Sequence, residues 1–325
     1  MKKSLAACLM ILCLAICFAG CGKGEEDSSL RMKFDAAVEV PEPEIETETM
    51  MASKLTVFDP DAVTEQFPEV YAALLADETT GEAVIGEHVY DRLYPASITK
   101  IFTAYLALKY GNLDDTVTVS YAASHIGVPG AQLCKLKEGD KINLRNLLQV
   151  MLLYSGNDTA IAVAEHVCGS LEAFREQVNE EARLLGCADT HLVNPHGLHE
   201  DDHYTTAYDI YLVMRELLQN ETFCELVNCA KETLHITHAD GTKEDREFLA
   251  TNRYFTGNEK YSQVALPETV TLIGGKTGTT SKAGYCLVLG STGKETGHLY
   301  ISVILHAANS DKLYRYMSEL LAEAE

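Results

Sequence analysis

Residues 269–307 read TVTLIGGKTGTTSKAGYCLVLGSTGKETGHLYISVILHA, and this stretch decides the fold. Three runs rich in β-branched and apolar residues, separated by glycine-containing turns, predict three strands. The last two form a hairpin about STGKETG, residues 291–297. Near the other end of the body, VYAALLADETTGEAVIGEHVY at residues 70–90 predicts two more strands joined at TTG. We expect one sheet that joins both ends of the body.

The residues between these strands predict mostly helices. An apolar helix follows YPASITK, residues 94–100, and ends at Gly111, while TVTVS at residues 116–120 predicts a short strand. Further helices are predicted at residues 142–154, 157–167, 171–185, 204–218 and 310–324. Strands, then helices, then strands predict an α+β domain with an antiparallel sheet and a helical subdomain. Such a domain leaves a cleft where the helical part meets the sheet.

The amino-terminal residues predict export. A short basic start precedes an apolar run from Leu5 to Phe18, which is 14 residues long, too short to span a bilayer comfortably and typical of a secretory signal. The run leads into FAGC, which resembles a bacterial lipobox except that Phe18 stands where leucine is usual. We expect a lipoprotein signal peptide at residues 1–20 and a lipidated Cys21. A simple secretory signal or an uncleaved anchor are alternatives, and all three place the body outside the cytoplasm.

The next segment predicts an unfolded tether. Residues 22–50 contain nine acidic side chains against three basic ones and little apolar material to bury. We assign residues 21–65 to the lipidated cysteine and tether, and residues 66–325 to the folded body. The whole chain has 26 basic and 48 acidic residues, a net charge of −22, which argues against nucleic acid as a partner.

The tetrapeptide SITK, residues 97–100, places a serine and a lysine on one face of one helical turn. A serine hydroxyl needs an adjacent base to act as a nucleophile, and lysine serves when burial or a nearby cation lowers its pKa. Pro95 suits a helix start, where free backbone N–H groups can stabilise an oxyanion. The pattern alone is weak, because STGK at Ser291–Lys294 repeats it in a predicted hairpin turn.

Two tripeptides strengthen the SITK hypothesis. SGN, residues 155–157, falls in a break between two predicted helices, although serine and asparagine there can also be simple helix caps. KTG, residues 276–278, follows a β-rich run, and its glycine would let a substrate backbone lie close. A phosphate-binding loop is a poor alternative, since Val270 stands where that motif requires glycine.

The three motifs in this order are typical of penicillin-binding proteins and class A β-lactamases. The chain resembles the low-molecular-mass D-alanyl-D-alanine carboxypeptidases, serine peptidase family S11, over roughly residues 66–325. The blocks that carry the likeness are YPASITKIFTAYLAL, LLYSGNDTAIAVAEHV, LGCADTHLVNPHGLHEDDHYTTAYDI and GGKTGTTSKAGYCLVLG. The resemblance implies the β-lactamase/DD-peptidase (transpeptidase-like) fold, with the active site between the sheet and the helical subdomain.

The resemblance also implies a catalytic role for three residues. Ser97 would attack the carbonyl between the two terminal D-alanines and become acylated, with Lys100 as the general base. Ser155 would relay a proton to the departing D-alanine. Backbone N–H groups of Ser97 and Thr279 would form the oxyanion hole, and water would then release the acyl group.

Substrate binding is implied for the remaining motif residues. Asn157 would bind the peptide amide, and Lys276 would anchor the site electrostatically. Thr277 and Thr279 would hold the terminal carboxylate, beside a close backbone approach at Gly278.

The implied substrate is a peptidoglycan stem peptide ending in D-Ala-D-Ala, with β-lactams as acylating inhibitors and no cofactor or metal. The protein would face the wall while the lipid on its amino terminus holds it to the bacterial cell membrane. The carboxy-terminal β-domain and amphipathic anchor of many relatives are expected to be missing. An amino-terminal lipid could replace that anchor.

Three alternatives stay open at the level of sequence. A serine β-lactamase shares the motifs, and an inactive protein could bind wall peptides or β-lactams without turnover. A zinc hydrolase is the third, because several metal-ligand types crowd one segment, although the HExxH spacing is missing. These residues are His196, His199, Asp201, Asp202 and His203.

Overall fold

The computed structural model describes residues 56–59, 66–255 and 262–324. All of these belong to one structural unit, Met51–Glu325, while a second unit, Met1–Met50, lies outside the described residues. The predicted signal peptide, Cys21 and most of the predicted tether are therefore also outside them. Within the described ranges, no helix has the length and apolar character needed to cross a membrane.

The strands and helices follow the predicted order of strands, helices and strands. The described strands are β1 (Ala72–Asp77), β2 (Glu82–Glu87), β3 (Thr116–Thr118), β4 (Lys141–Asn143), β5 (Lys231–Thr237), β6 (Lys243–Leu249), β7 (Val270–Thr280), β8 (Gly284–Gly293) and β9 (Leu299–Ala307). The described helices are α1 (Lys100–Tyr110), α2 (Tyr121–Ser124), α3 (Leu144–Tyr154), α4 (Asn157–Cys168), α5 (Leu171–Leu184), α6 (Ala207–Leu217), α7 (Glu221–Val227) and α8 (Ser310–Ala322). A 3-10 turn, Ala96–Thr99, leads directly into α1.

The larger sheet joins both ends of the body. Its five strands are antiparallel, in the order β2-β1-β9-β8-β7. Helices cover both faces, so all six residues of β1 are buried. Ala72 and Leu74 pack into the core shared with the helical part, while Ala73 and Leu75 pack into the core beneath α8. The predicted α+β arrangement is the one observed, and β7 borders the helical part.

A smaller sheet, in the order β3-β4-β5-β6, was predicted only at β3. In β5 and β6 the solvent-facing positions carry charged residues, and only a few apolar side chains such as Leu234 and Ile236 are buried. In β6 the half-buried residues Glu244 and Arg246 are charged as well, so this strand lacks the alternation of apolar and polar residues that a strand prediction requires. The helix predicted from residue 142 begins two residues later, because Asn143 caps α3 by accepting from the backbone N–H of Asn146 at 3.2 Å.

The STGK segment, Ser291–Lys294, was predicted to lie in a hairpin turn, but most of it belongs to a strand. Strand β8 continues to Gly293, so Ser291 lies within a strand and is fully buried, and only Lys294 begins the turn. Ser291 of β8 pairs with Tyr300 of β9, so the sheet extends into the STGK segment.

The body also begins earlier than the predicted boundary at residue 66. Phe58 is 3% exposed and packs its ring edge-on against Tyr208, with ring centroids 6.3 Å apart. The backbone N–H of Thr56 donates to the hydroxyl of Tyr211. Part of the segment assigned to the tether is therefore packed on the body.

Candidate active site

The SITK serine lies on a tight turn at the amino end of α1. Ala96, just before Ser97, has φ of +47°, a left-handed conformation that is strained for alanine. The hydroxyl of Thr99 donates to the carbonyl of Ala96 at 2.8 Å and accepts from His203 Nε2 at 2.7 Å. These contacts hold the strained turn and so fix the direction of the Ser97 side chain.

Lys100 is fully buried, and its Nζ lies 3.0 Å from Ser97 Oγ. The same nitrogen contacts Asn157 Oδ1 at 2.8 Å and the backbone carbonyl of His196 at 2.7 Å. Burial, reinforced by the positive charge of Lys276, lowers the pKa of Lys100 well below its usual value. A neutral amine keeps two N–H donors for the two carbonyl acceptors and turns its lone pair toward the Ser97 hydroxyl. This geometry suits a general base.

The SGN motif occupies the junction between α3 and α4. Ser155 ends α3 with φ of +71°, and Asn157 opens α4. A side chain on Gly156 would approach Cys134 Sγ to 2.7 Å, so the tight junction requires glycine. Buried Asp158 accepts from the backbone N–H of Cys134 at 2.9 Å and ties the neighbouring loop to α4.

The KTG motif lies on β7, alongside the 3-10 turn Ala96–Thr99 that carries Ser97, here called the nucleophile turn. A Cβ on Gly278 would stand 2.9 Å from the carbonyl of Pro95 and 3.1 Å from the amide nitrogen of Ser97. Only glycine therefore lets β7 approach Ser97 this closely. Lys276 is 1% exposed, and burial lowers its pKa to about 7.

A cleft of about 440 Å³ brings the motifs together between β7 and the helical part. It is lined by six predicted residues: Ser97, Ser155, Asn157, Thr277, Gly278 and Thr279. Lys100 and Lys276 are buried, the first in contact with Ser97 and the second next to Thr277 in the chain. The structure thus gathers every predicted catalytic and substrate-binding residue in one place, whereas Cys21 lies outside the described residues.

Among the lining residues that were not predicted, Arg253 and Thr251 bring polar side chains to the cleft. Arg253 holds its guanidinium over the Tyr314 ring, 5.1 Å from the centroid, and donates to Asp311 at 2.8 Å. Thr251 Oγ1 lies 2.6 Å from Thr277 Oγ1. No motif marks either residue, because both are brought to the cleft by tertiary packing.

The segment that contains His196, His199 and His203, here called the histidine segment, packs against the nucleophile turn and supports it. Gly197, with φ of +82°, packs so tightly that a Cβ would stand 1.8 Å from the carbonyl oxygen of Ala96. His203 accepts from the backbone N–H of Val193 at its Nδ1, so its Nε2 carries the proton donated to Thr99. Burial lowers the pKa of His203 to about 3, which keeps the ring neutral.

The same contacts weigh against the zinc alternative. Both ring nitrogens of His203 are occupied within the fold, and His196 Nδ1 accepts from the backbone N–H of Leu198 at 3.1 Å. Among the residues that the structure describes, no three potential ligands are grouped to hold a metal ion. The histidines instead fix the segment that supplies a carbonyl to Lys100.

Comparison with known proteins identifies matching sequences. The sequence model of peptidase family S11, described as D-alanyl-D-alanine carboxypeptidase, matches residues 61–309. The D-alanyl-D-alanine carboxypeptidase DacF of Bacillus subtilis is 30% identical over 281 residues, covering 84% of this chain and 66% of the relative. DacC of Escherichia coli is 29% identical, covering 84% and 64% respectively. The chain thus spans less than two thirds of the length of these relatives.

Solved structures confirm the predicted fold. The crystal structure of the Streptomyces K15 DD-transpeptidase aligns with a TM-score of 0.70 and 25% identity, covering 79% of this chain and 97% of that one. The D-alanyl-D-alanine carboxypeptidase of Mycobacterium tuberculosis aligns with a TM-score of 0.67 and 22% identity, covering 82% and 95%. The second likeness supports the fold alone.

Proposed function

Because the chain belongs to peptidase family S11, the D-alanyl-D-alanine carboxypeptidases, we propose that it removes the terminal D-alanine from peptidoglycan stem peptides. The observation that carries this proposal is the contact of 3.0 Å between the Ser97 hydroxyl and the buried amine of Lys100. Buried lysines with a lowered pKa occur mainly at functional sites, and the amine of Lys100 lies where it can deprotonate the Ser97 hydroxyl.

Acylation would begin with transfer of the Ser97 proton to Lys100. The serine oxygen then attacks the carbonyl carbon between the two D-alanines, and the carbonyl oxygen becomes an oxyanion. The amide nitrogen of Ser97, close to β7 at Gly278, is suited to stabilise that charge together with the N–H of Thr279. Donors fixed before the reaction need no reorganisation when the charge develops.

Collapse of this intermediate requires a proton on the departing nitrogen. Ser155 lines the cleft at the junction of α3 and α4 and can carry a proton from Lys100 to the leaving D-alanine. Hydrolysis of the ester would follow by the same base activating a water molecule. The acyl group leaves with the hydroxyl of that water, and Ser97 regains its proton.

The cleft suits the terminal carboxylate of the substrate. Thr277, Thr279 and Arg253 line it with hydroxyl and guanidinium donors, and Lys276 adds a buried amine next to Thr277. Asn157 uses its side-chain oxygen to hold Lys100, so its NH₂ group is the part suited to a substrate carbonyl. A β-lactam presents a carboxylate and a reactive amide in a similar arrangement, and we expect it to acylate Ser97.

The β-lactamase alternative gains no support from the acidic residues of the histidine segment. Glu200, Asp201 and Asp202 line a separate cavity with Arg175 and Asn194. They are not among the described residues that line the cleft at Ser97.

We further propose that Cys21 is lipidated and holds the protein to the outer face of the bacterial cell membrane. The basic start, the 14-residue apolar run and the FAGC sequence support this proposal. Replacing Cys21 with alanine should move the protein from the membrane fraction to the soluble fraction. Unchanged fractionation would contradict lipidation at this residue.

The proposed activity is tested by D-alanine release from diacetyl-Lys-D-Ala-D-Ala. We expect the wild-type protein to release one D-alanine per peptide, and the Ser97→Ala variant to release none while keeping the wild-type circular dichroism spectrum. Absence of release by the folded wild type would overturn the proposed activity.

A further inference from the structure

A second cavity of about 510 Å³, here called the side cavity, opens next to the catalytic cleft. Gln132 and Thr251 line both spaces. Tyr154 lines the side cavity and directly precedes Ser155 in the chain. The side cavity therefore borders the space that a peptide acylating Ser97 would occupy.

One wall of the side cavity is apolar. The rings of Tyr154 and Phe248 lie with their centroids 4.6 Å apart, and Leu133 and Leu249 extend this surface. Aromatic and aliphatic surfaces of this kind bind hydrocarbon chains, while a small number of polar groups determine which chain is accepted.

The charges at the rim leave one cation without an ion pair. Arg246 is bound by Glu244 through two hydrogen bonds of 2.9 and 2.7 Å, and Glu247 is bound by Lys231 at 2.9 Å. Lys135 is exposed and has no ion-pair partner among the described residues. The rim thus carries one uncompensated positive charge.

The segment that carries Lys135 is held in place by both neighbouring elements. Arg246, on β6, donates to the carbonyl groups of Cys134 and Lys135, and Asp158, on α4, accepts from the N–H of Cys134. Lys135 itself has φ of +60°, which costs energy for any residue except glycine. Because the backbone of this segment is already fixed, less conformational entropy is lost there when a ligand binds.

The direction of the substrate follows from the segment 246–253. Its first residues line the side cavity, whereas Arg253 lines the catalytic cleft beside Ser310 and Tyr314. A peptide whose terminal carboxylate lies toward Arg253 and Thr279 has its preceding residues at the opposite end, beside Gln132.

We propose that the side cavity binds the side chain of the residue that precedes D-Ala-D-Ala, and that this side chain is an aliphatic chain ending in a carboxylate. The aliphatic part lies against Tyr154 and Phe248, and the carboxylate faces Lys135. A chain ending in an ammonium group meets a like charge at the same place. This inference rests on the proposed D-alanine release and adds a preference for the third residue from the carboxyl end.

Three peptides of the form acetyl-Xaa-D-Ala-D-Ala test the inference, with Xaa as α-aminoadipate, lysine or aspartate. At low salt we expect kcat/KM for the aminoadipate peptide to exceed that for the lysine peptide by roughly two- to fivefold, as for an exposed ion pair. The aspartate peptide has the charge without the aliphatic chain and should fall below aminoadipate. High salt should reduce the difference between aminoadipate and lysine.

Variants assign the preference to one residue. Lys135→Glu should reverse the order of the aminoadipate and lysine peptides, whereas Lys137→Glu, the same charge change at an exposed position outside the cavity, should preserve it. The ratio of two substrates within one variant is independent of the amount of folded enzyme.

The outcomes separate the two proposals. Equal kcat/KM for the aminoadipate and lysine peptides, or a preference unchanged by Lys135→Glu, overturns the side-cavity proposal and leaves D-alanine release intact. No release from any of the three peptides overturns both.

Discussion

Ser97 and Ser291 each stand three residues before a lysine, but their surroundings differ completely. Ser97 lies on a helical turn, where Lys100 reaches its hydroxyl at 3.0 Å. Ser291 lies in β8, beneath α8, and its hydroxyl has no hydrogen-bond partner among the described residues. A strand sends the side chains at residues i and i+3 to opposite faces, so spacing in sequence brings two groups together only on a helix.

The two serines therefore give a matched pair of variants. Ser97→Ala should abolish acylation by benzylpenicillin. Ser291→Ala should leave acylation unchanged and raise the free energy of unfolding by up to about 1 kcal/mol, because it removes a buried hydroxyl without a partner. Urea denaturation measures the stability and a radiolabelled penicillin measures acylation. A loss of acylation in Ser291→Ala would show that this site assignment is wrong.

The two buried lysines should be coupled in the pH dependence of acylation. Positive charge on Lys276 disfavours protonated Lys100, and it contributes to the lowered pKa of Lys100. Lys276→Gln removes that charge, so the pKa of Lys100 rises and a higher pH is needed to obtain the neutral amine. The acidic limb of the pH profile for acylation should therefore move to higher pH.

The measurement is the second-order rate constant for benzylpenicillin between pH 5 and 10, and the difference should be largest below pH 7, where Lys276, with its pKa of about 7, is charged. Lys282→Gln, at an exposed position after β7, is the control, and the acidic limb of its pH profile should lie at the same pH as in the wild-type protein. If the acidic limb of the pH profile of Lys276→Gln lies at the same pH as that of the wild-type protein, the two lysines are not coupled.

At the scale of elements, the site depends on the close approach of three segments that the chain separates widely. The nucleophile turn contacts β7 at Gly278 and the histidine segment at Gly197. At both contacts a Cβ would meet backbone atoms of the turn, which cannot rotate away as a side chain can. The glycines therefore determine how accurately Ser97 is placed.

Gly197→Ala tests this dependence against a matched glycine. Gly197 and Gly169 both have positive φ, of +82° and +86°, but a Cβ on Gly169 would meet nothing within 4 Å. Gly169→Ala should cost about 1 kcal/mol through backbone strain alone. Gly197→Ala should cost at least about 2 kcal/mol more, because it also displaces the Ala96 turn. Urea denaturation compares the two, and equal losses would show that the contact at Ala96 is unimportant.

The elements that carry the three motifs could be predicted because local patterns encode them. The apolar run after SITK, the break at SGN and the β-rich run before KTG each indicate their structure directly. The β5–β6 hairpin could not be predicted, since β6 has charged residues at half-buried as well as exposed positions and therefore shows no apolar alternation. Arg253 and the carbonyl of His196 could not be predicted as parts of the site either, because only tertiary packing brings them there.

At the scale of the whole molecule, the described part combines a five-stranded sheet, covered on both faces, with a helical part that completes the cleft and a smaller four-stranded sheet. The sequence predicted the division into the larger sheet and the helical part, but it assigned residues 56–59 to the tether. Phe58 is instead buried against Gly86 and Tyr208. The single aromatic residue of a short segment has no periodic pattern from which its burial could be predicted.

Phe58→Ala tests whether this segment belongs to the folded body. The substitution should reduce the free energy of unfolding by about 3 kcal/mol, as expected for a buried aromatic side chain. Val57→Ala should have little effect, because Val57 is 68% exposed. Urea denaturation of the two variants in the same protein measures the difference. If Phe58→Ala is as stable as Val57→Ala, residues 56–59 do not contribute to the body.

The central claim, that Ser97 is the nucleophile of a penicillin-sensitive peptidase, is tested most directly by mass spectrometry of the intact protein after incubation with benzylpenicillin. We predict that the wild-type protein gains the mass of one penicillin, that the adduct lies on the peptide containing Ser97, and that Ser97→Ala gains none. A folded wild-type protein without an adduct, or an adduct that persists in Ser97→Ala, would contradict the claim.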